Sequence, residues 1–224
     1  MKKIGLMILI ITFIVTVNAE TDKKIISYGL YRGIYLDIDS LNNVLESNGF
    51  PELNNYCESW GVGSHTIIED RIVFGVNFYR FYGNSNSNAD FKSKVNGHWE
   101  LFTFGIITGK IAKNIYMYPL VNIGYGSLDV KIIDTNIDSF DEVLNGDPQL
   151  DGITLSTSSY ILEPGIGFDY FKRTNGINLF IGLRAGYAFS PVNYGWEVNS
   201  IAIEGGPETK VQGPYISVAG GIMF

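Results

Sequence analysis

The chain has 224 residues, a net charge of −7 from 16 Lys and Arg against 23 Asp and Glu, 14% aromatic residues and 26 Gly. With an acidic balance and no basic stripe, it is not built to bind nucleic acid. The one cysteine, Cys57, excludes an internal disulfide framework, and it has no evident His or Asp partner for nucleophilic work.

In chain order, the first segment has the layout of a secretory signal peptide. Lys2 and Lys3 precede an uncharged run from Ile4 to Val17, and Val17-Asn18-Ala19 offers small residues for cleavage after Ala19. The run is shorter than the ~18–20 residues of a spanning helix. No Cys follows the cleavage position, which argues against a lipid anchor. Removing residues 1–19 takes away two lysines and no acid. Residues 20–224 then form a single domain of net charge −9.

Apolar/polar alternation and turn residues predict eight strands, at 25–38, 58–69, 71–83, 92–108, 114–133, 154–172, 176–189 and 212–224. Tight connections (69–71, 109–113 and 173–176) alternate with the mostly longer 39–57, 84–91, 134–153 and 190–211. Asn175-Gly176 is the strongest hairpin signal in the chain. Such asymmetry fits an all-β, eight-stranded antiparallel up-and-down transmembrane barrel, with turns at one end and loops at the other.

Strand one puts Arg32 on one face with Tyr28, Leu30, Ile34 and Leu36. If that face meets lipid, an Arg near the midplane costs about 2–4 kcal/mol. Either a bulge near Gly33 turns Arg32 inward, or the residue lies close to the interface. The first long loop predicts a short helix from Ser40 to Asn48, capped by Ser40 or Asp39 and stopped by Gly49 before Pro51.

Strand three sets Ile72, Phe74, Val76 and Phe78 against Val73, Gly75, Asn77 and Tyr79. Strand four is bulky on both faces, so the facing of 92–108 stays open, and Pro119 in strand five needs a tolerant position. Strand five sets Met117, Val121, Ile123 and Tyr125 against Asn122, Gly124 and Gly126. Strand six sets Tyr160, Leu162, Ile166, Phe168 and Tyr170 against Glu163, Gly165, Gly167 and Asp169. Strand seven sets Leu179, Ile181 and Leu183 against Gly182, Arg184 and Gly186. The polar and Gly-rich faces are expected to line the lumen, where Glu163 and Arg184 are expected to pair, directly or through Asp169 or a Tyr hydroxyl. Tyr28, Trp60, Tyr82, Trp99, Tyr116, Tyr170 and Tyr187 fall toward strand ends, as an interfacial girdle requires.

Residues 134–151 hold six acids and no Lys or Arg. Asp134-Thr135-Asn136-Ile137-Asp138 opens like a calcium loop, but Ser139 replaces the required Gly and Asn145 the final Glu. The expectation is a solvated acidic loop, with a bound cation as the alternative. Of the two histidines, His65 follows Ser64, but neighbours in a strand point to opposite faces, and no Gly-x-Ser-x-Gly elbow exists. No catalytic residue and no cofactor site is expected.

The last strand turns Ile216, Val218, Ile222 and Phe224 to one side and Tyr215, Ser217, Ala219 and Gly221 to the other, and the chain stops on Phe224. This ending resembles the C-terminal signal by which outer-membrane barrels are recognised for assembly. The stretch Ser40 to Leu53, SLNNVLESNGFPEL, is similar to a segment of uncharacterised outer-membrane barrels. Taken whole, the chain resembles the small OmpA/OmpX-like outer-membrane barrels. That resemblance implies residence in the cell outer membrane and contact with its lipids and the barrel-assembly machinery. It also implies a structural or surface-interaction role through four long loops and an extracellular partner not identified by any motif. The alternatives are a narrow channel or binder for a small apolar molecule, and a rim-located membrane enzyme.

Overall fold

The computed structural model describes residues 23–83, 85–135, 152–174, 176–198, 201–207 and 211–224. The expected signal peptide, most of the acidic loop 134–151 and Asn175 lie outside the described residues. Eight long strands form the wall: β1 Lys23–Tyr35, β2 Tyr56–Ile68, β3 Ile72–Gly83, β4 Phe91–Ile106, β5 Ile115–Asp134, β6 Ile153–Lys172, β7 Asn178–Val198 and β8 Gly213–Met223. Each pairs antiparallel with the next in sequence. β8 returns to β1, from Met223 opposite Ile26 to Tyr215 opposite Ile34, and closes the ring. Closure satisfies the main-chain groups an open sheet would leave bare, which is the condition for a sheet in hydrocarbon. Among the described residues no helix is long and apolar enough to cross a membrane.

Side-chain alternation divides the wall into two surfaces. Val62, Phe78, Phe104, Ile123, Ile166, Ile181, Leu183, Ile216 and Val218 are exposed on the outside. In water a continuous apolar belt of this kind would be a liability; in a bilayer it is the lipid face. β4, whose facing the sequence left open, turns Trp99 and Leu101 inward and Phe104 and Ile106 outward. Pro119 is tolerated because the β4–β5 ladder ends one residue away, at Gly105 opposite Leu120, so its missing N–H is not required.

β1 corrects the expected facing. Ile26, Tyr28, Leu30, Arg32 and Ile34 are all buried inside, with no bulge at Gly33, while Ser27 and Gly29 face outward. The side of this strand that carries Arg32 therefore fills the lumen, and its outward side combines Ser27 and Gly29 with Ile25, Tyr31 and Tyr35. For the same reason Tyr28, Trp99 and Tyr116 are interior residues, not members of a girdle. Trp60, Tyr82, Tyr170 and Tyr187 are exposed outside, as a girdle needs.

β5, β6 and β7 run 20, 20 and 21 residues, about twice the 9–11 that cross a bilayer. Their excess projects at the loop end. β7 outruns its expected stop at 189 because Pro191 falls where the β6–β7 register shifts, between Leu162 opposite Phe189 and Tyr160 opposite Val192. A bulge absorbs the residue that cannot donate.

The predicted helix is present as α1, Asp39–Ser47, followed by Gly49 at φ +80°. Neither expected cap operates. Ile38 precedes the helix without a side-chain bond, and the Asp39 carboxylate instead accepts from Asn55 Nδ2 at 2.9 Å. Leu41 and Leu45 of α1 join Leu36, Ile38 and Leu53 in the same buried cluster as the barrel interior. Asn42 ties the loop to itself, donating to the Leu53 carbonyl at 3.0 Å and accepting from the Leu53 N–H at 2.8 Å. The first loop is thus a folded cap with its own apolar underside.

Candidate functional site

Midway along the lumen, inward polar residues from seven strands form one connected chain of hydrogen bonds, completed by a His65–Asp169 contact. Arg32 on β1 reaches across the interior to Glu163 on β6, with Nη2 donating to Oε1 at 2.7 Å and Nη1 to Oε2 at 3.1 Å. Asn122 donates to Glu163 Oε2 at 2.9 Å; Thr103 donates to Asn122 Oδ1 and Asn77 Nδ2 to Thr103 Oγ1, both at 2.7 Å. Strand register makes this relay possible, because Thr103, Asn122 and Glu163 stand directly opposite one another on β4, β5 and β6. Tyr28 then donates to Asn77 Oδ1 at 2.9 Å, and Arg184 Nη1 donates to the Tyr28 hydroxyl at 3.2 Å.

Arg184 Nη2 lies 3.2 Å from His65 Nδ1. A guanidinium can only donate, so Nδ1 accepts and the imidazole proton sits on Nε2, which is 3.2 Å from Asp169 Oδ2. Tyr118 donates to the same Asp169 oxygen at 2.9 Å. The Arg32 guanidinium is also enclosed by the rings of Tyr215, Trp99 and Tyr79, at 4.0, 4.7 and 5.0 Å from their centroids. Side chains of Arg32 and Glu163 are 1% and 0% exposed. A buried ion pair is costly unless its remaining hydrogen-bonding sites are met. Here the Asn122 amide serves Glu163 and three aromatic faces serve the guanidinium, while Arg32 Nε has no hydrogen-bond partner among the described residues.

Glu163 and Arg184 both lie inside, as alternation predicts, but they are not each other's partners. The hairpin register sets Lys172 opposite Leu179 and Gly167 opposite Arg184, which leaves Glu163 offset along the barrel axis. Arg32 takes its place. The two expected partners are joined indirectly, through Asn122, Thr103, Asn77 and the Tyr28 hydroxyl. His65 is buried in this chain, and Ser64 faces away and donates to the Ile26 carbonyl. His98 sits outside with Nδ1 2.8 Å from Ser127 Oγ. Cys57 is buried and free.

A second cluster stands at the turn end. The β2–β3 turn places Glu69 and Asp70 at φ 52° and 54°, left-handed backbone that few non-Gly residues adopt. The Asp70 carboxylate offsets that strain. It binds the Lys24 ammonium, accepts from Lys110 Nζ at 2.8 Å and accepts from the Tyr116 hydroxyl at 3.2 Å. Partial burial opposes its charge, yet the bonds from Lys110 and Lys24 outweigh burial and hold the carboxyl down at about 2, against an ordinary 3.8. A carboxyl depressed in the folded state stabilises fully above its unfolded value and loses that contribution as pH falls through its folded one. Asp70→Asn should therefore be less stable than the parent at neutral pH, and the gap should close between pH ~4 and pH ~2. Urea titrations of the folded barrel at several pH values measure this; an equal gap at both extremes would refute the ion-pair account.

The strands thus make a closed eight-stranded antiparallel barrel with an apolar exterior and a hydrogen-bonded polar interior. No family model matches the chain, and no curated protein matches it. Among solved structures it is similar to Ail, the attachment invasion locus protein of Yersinia pestis, at 11% identity, covering 90% of this chain and 98% of that one, with a TM-score of 0.49. It is also similar to neisserial surface protein A, at 13% identity, 92% and 98% coverage and a TM-score of 0.39. A third is a major outer membrane protein from Thermus thermophilus, at 7% identity, 89% and 99% coverage and a TM-score of 0.43.

Proposed function

We propose that this protein is a sealed outer-membrane barrel whose working surface is its loop end. The observation that carries this reading is the transluminal chain from Arg32 to Tyr118, which fills the bore with side chains joined by hydrogen bonds and the His65–Asp169 contact. An eight-stranded barrel is only wide enough for side chains to fill, and displacing these would strand buried charge. Reconstituted protein should therefore show no stepwise conductance in planar bilayers. Regular channel openings in the parent, abolished by plugging from the loop side, would overturn the reading.

The loop end also has a charge character. Asp37, Asp39, Glu46, Glu52, Asp90 and Glu204 lie in described segments there, against Lys92, Lys94 and Lys131, and the sequence 134–151 adds six acids and no Lys or Arg. A partner engaging this surface is cationic, or neutral with aromatic contacts; a polyanionic glycan would be repelled.

Assembly is the second element. The outward stripe Ile216, Val218, Ile222 and Phe224 on and just past β8 suits capture by barrel-assembly machinery. Phe224 exchanges main-chain hydrogen bonds with Ile25 while its ring is 72% exposed. Phe224→Ala keeps both main-chain bonds and removes only the ring, so a fall in outer-membrane level reports side-chain recognition. Equal levels in membrane fractions would count against it.

A further inference from the structure

The chain as a whole is acidic, yet its turn end is basic. Lys23, Lys24, Arg71, Lys110, Lys113, Lys172 and Arg173 gather there, against Glu69 and Asp70 among the described residues. A cavity of about 550 Å³ opens at this end, with five cationic side chains on its walls, those of Lys24, Lys110, Lys113, Lys172 and Arg173, and one carboxylate, that of Asp70. Asp70 is fully engaged by Lys24 and Lys110. No carboxylate among the described residues pairs with Lys113, Lys172 or Arg173. The floor is apolar, made by Phe171 and Met223, both nearly buried.

The surroundings decide what anion fits. Ile111, on the short strand Gly109–Ala112 between Lys110 and Lys113, is 61% exposed. Ile177 and Phe224 at the same end are also exposed. Three unsupported apolar side chains beside a cationic hollow mark the depth at which hydrocarbon gives way to headgroups. Lys and Arg at that depth keep their stems in the apolar layer and their charges at the polar boundary.

We propose that this cavity is a binding site for the phosphate of an anionic lipid headgroup, with Lys113, Lys172 and Arg173 as its principal ligands and the Phe171–Met223 floor beneath its glycerol. Arg173 supplies the planar donor fork suited to phosphate, and the two lysines supply point charges. The inference rests on the membrane placement proposed above but not on the sealed bore.

The test uses the full folded protein in zwitterionic detergent, titrated calorimetrically with dihexanoyl phosphatidylglycerol, dihexanoyl phosphatidylcholine and inorganic phosphate. The parent should bind phosphatidylglycerol, show no saturable binding of phosphatidylcholine, and bind phosphate about tenfold or more weakly than the lipid. Combined Lys113→Gln, Lys172→Gln and Arg173→Gln should weaken phosphatidylglycerol binding about tenfold or more. Lys92→Gln with Lys94→Gln, at the opposite end, should leave it unchanged. Heat-modifiable gel mobility confirms folding of each variant, and Arg173→Gln alone serves if the triple variant does not fold. Unchanged affinity in the folded variants, or equal binding of phosphatidylcholine, would overturn the site. Phosphate binding as tight as the lipid would overturn the headgroup assignment. Conductance measured on the same samples reports separately on the sealed bore, and a failed shift in gel mobility of the parent would report on membrane insertion itself.

Discussion

Arg32→Met should destabilise the folded barrel by about 3–5 kcal/mol, the cost of breaking a buried pair and leaving one charge behind. The charge left is Glu163, which is fully buried and retains only the Asn122 amide as a donor. Three aromatic rings that face the guanidinium lose their cation at the same time. Arg32→Met with Glu163→Gln should recover much of this, since a neutral amide can still accept from Asn122. The reverse experiment, Glu163→Gln alone, should also exceed the double variant in cost, because it leaves the guanidinium unpaired. Urea folding titrations into lipid vesicles give the double-mutant cycle. A coupling near zero would mean that the pair does not hold the lumen together. The same cycle on Glu163 and Arg184 should give a smaller coupling, since five hydrogen bonds separate them.

Strand number, order and most facings were legible because the barrel imposes period two on every strand. Over their middle residues β3, β5, β6, β7 and β8 carry bulky apolar residues outward and small or polar ones such as Gly75, Asn77, Asn122, Glu163, Gly182, Arg184 and Ser217 inward, so alternation assigned them without further information. β1 escaped because the rule was applied as size rather than as charge. Arg32 shares its face with Tyr28, Leu30 and Ile34, and the bulky residues outvoted one cation. A charge balance would have placed it: Glu163 and Asp169 are two inward acids, Arg184 is one inward base, and a dry bore requires another. β4 was ambiguous for a related reason. Near the loop-end mouth the bore is filled by large rings, Phe81 against Trp99 at 5.6 Å between centroids, so both of its faces are apolar. Which charges meet could not be read from a hairpin turn, because Arg32 and Glu163 come from strands that do not touch. Only closure of the ring brings them within reach. The loop cap was half legible: the helix was, but its burial depends on where the bore ends.

Ile181→Arg should destabilise the barrel, by less than the ~2–4 kcal/mol that a cation costs at the bilayer midplane, because Ile181 stands opposite Tyr170 on the turn-end side of the wall. Ile181 is 56% exposed on the outer wall, between Tyr170 of β6 and Gly220 of β8. Gly220 leaves open space beside it, so the effect is one of solvation and not of crowding. The matching control cannot be Gly182→Ser, although Gly182 faces the lumen as alternation predicts. A Cβ there would meet the Phe180 ring at 2.6 Å and Asp169 Oδ1 at 3.0 Å, so the packed bore penalises even a methyl group. Gly220→Ala is the suitable control: it adds a small apolar group to the outer wall where nothing lies within 4 Å, and it should change stability little. Folding titrations in lipid vesicles should rank Ile181→Arg well above Gly220→Ala, with Gly182→Ser also destabilising. If Ile181→Arg were neutral while Gly220→Ala were costly, the outer wall would not be the lipid face, and the membrane reading of the barrel would fall with it.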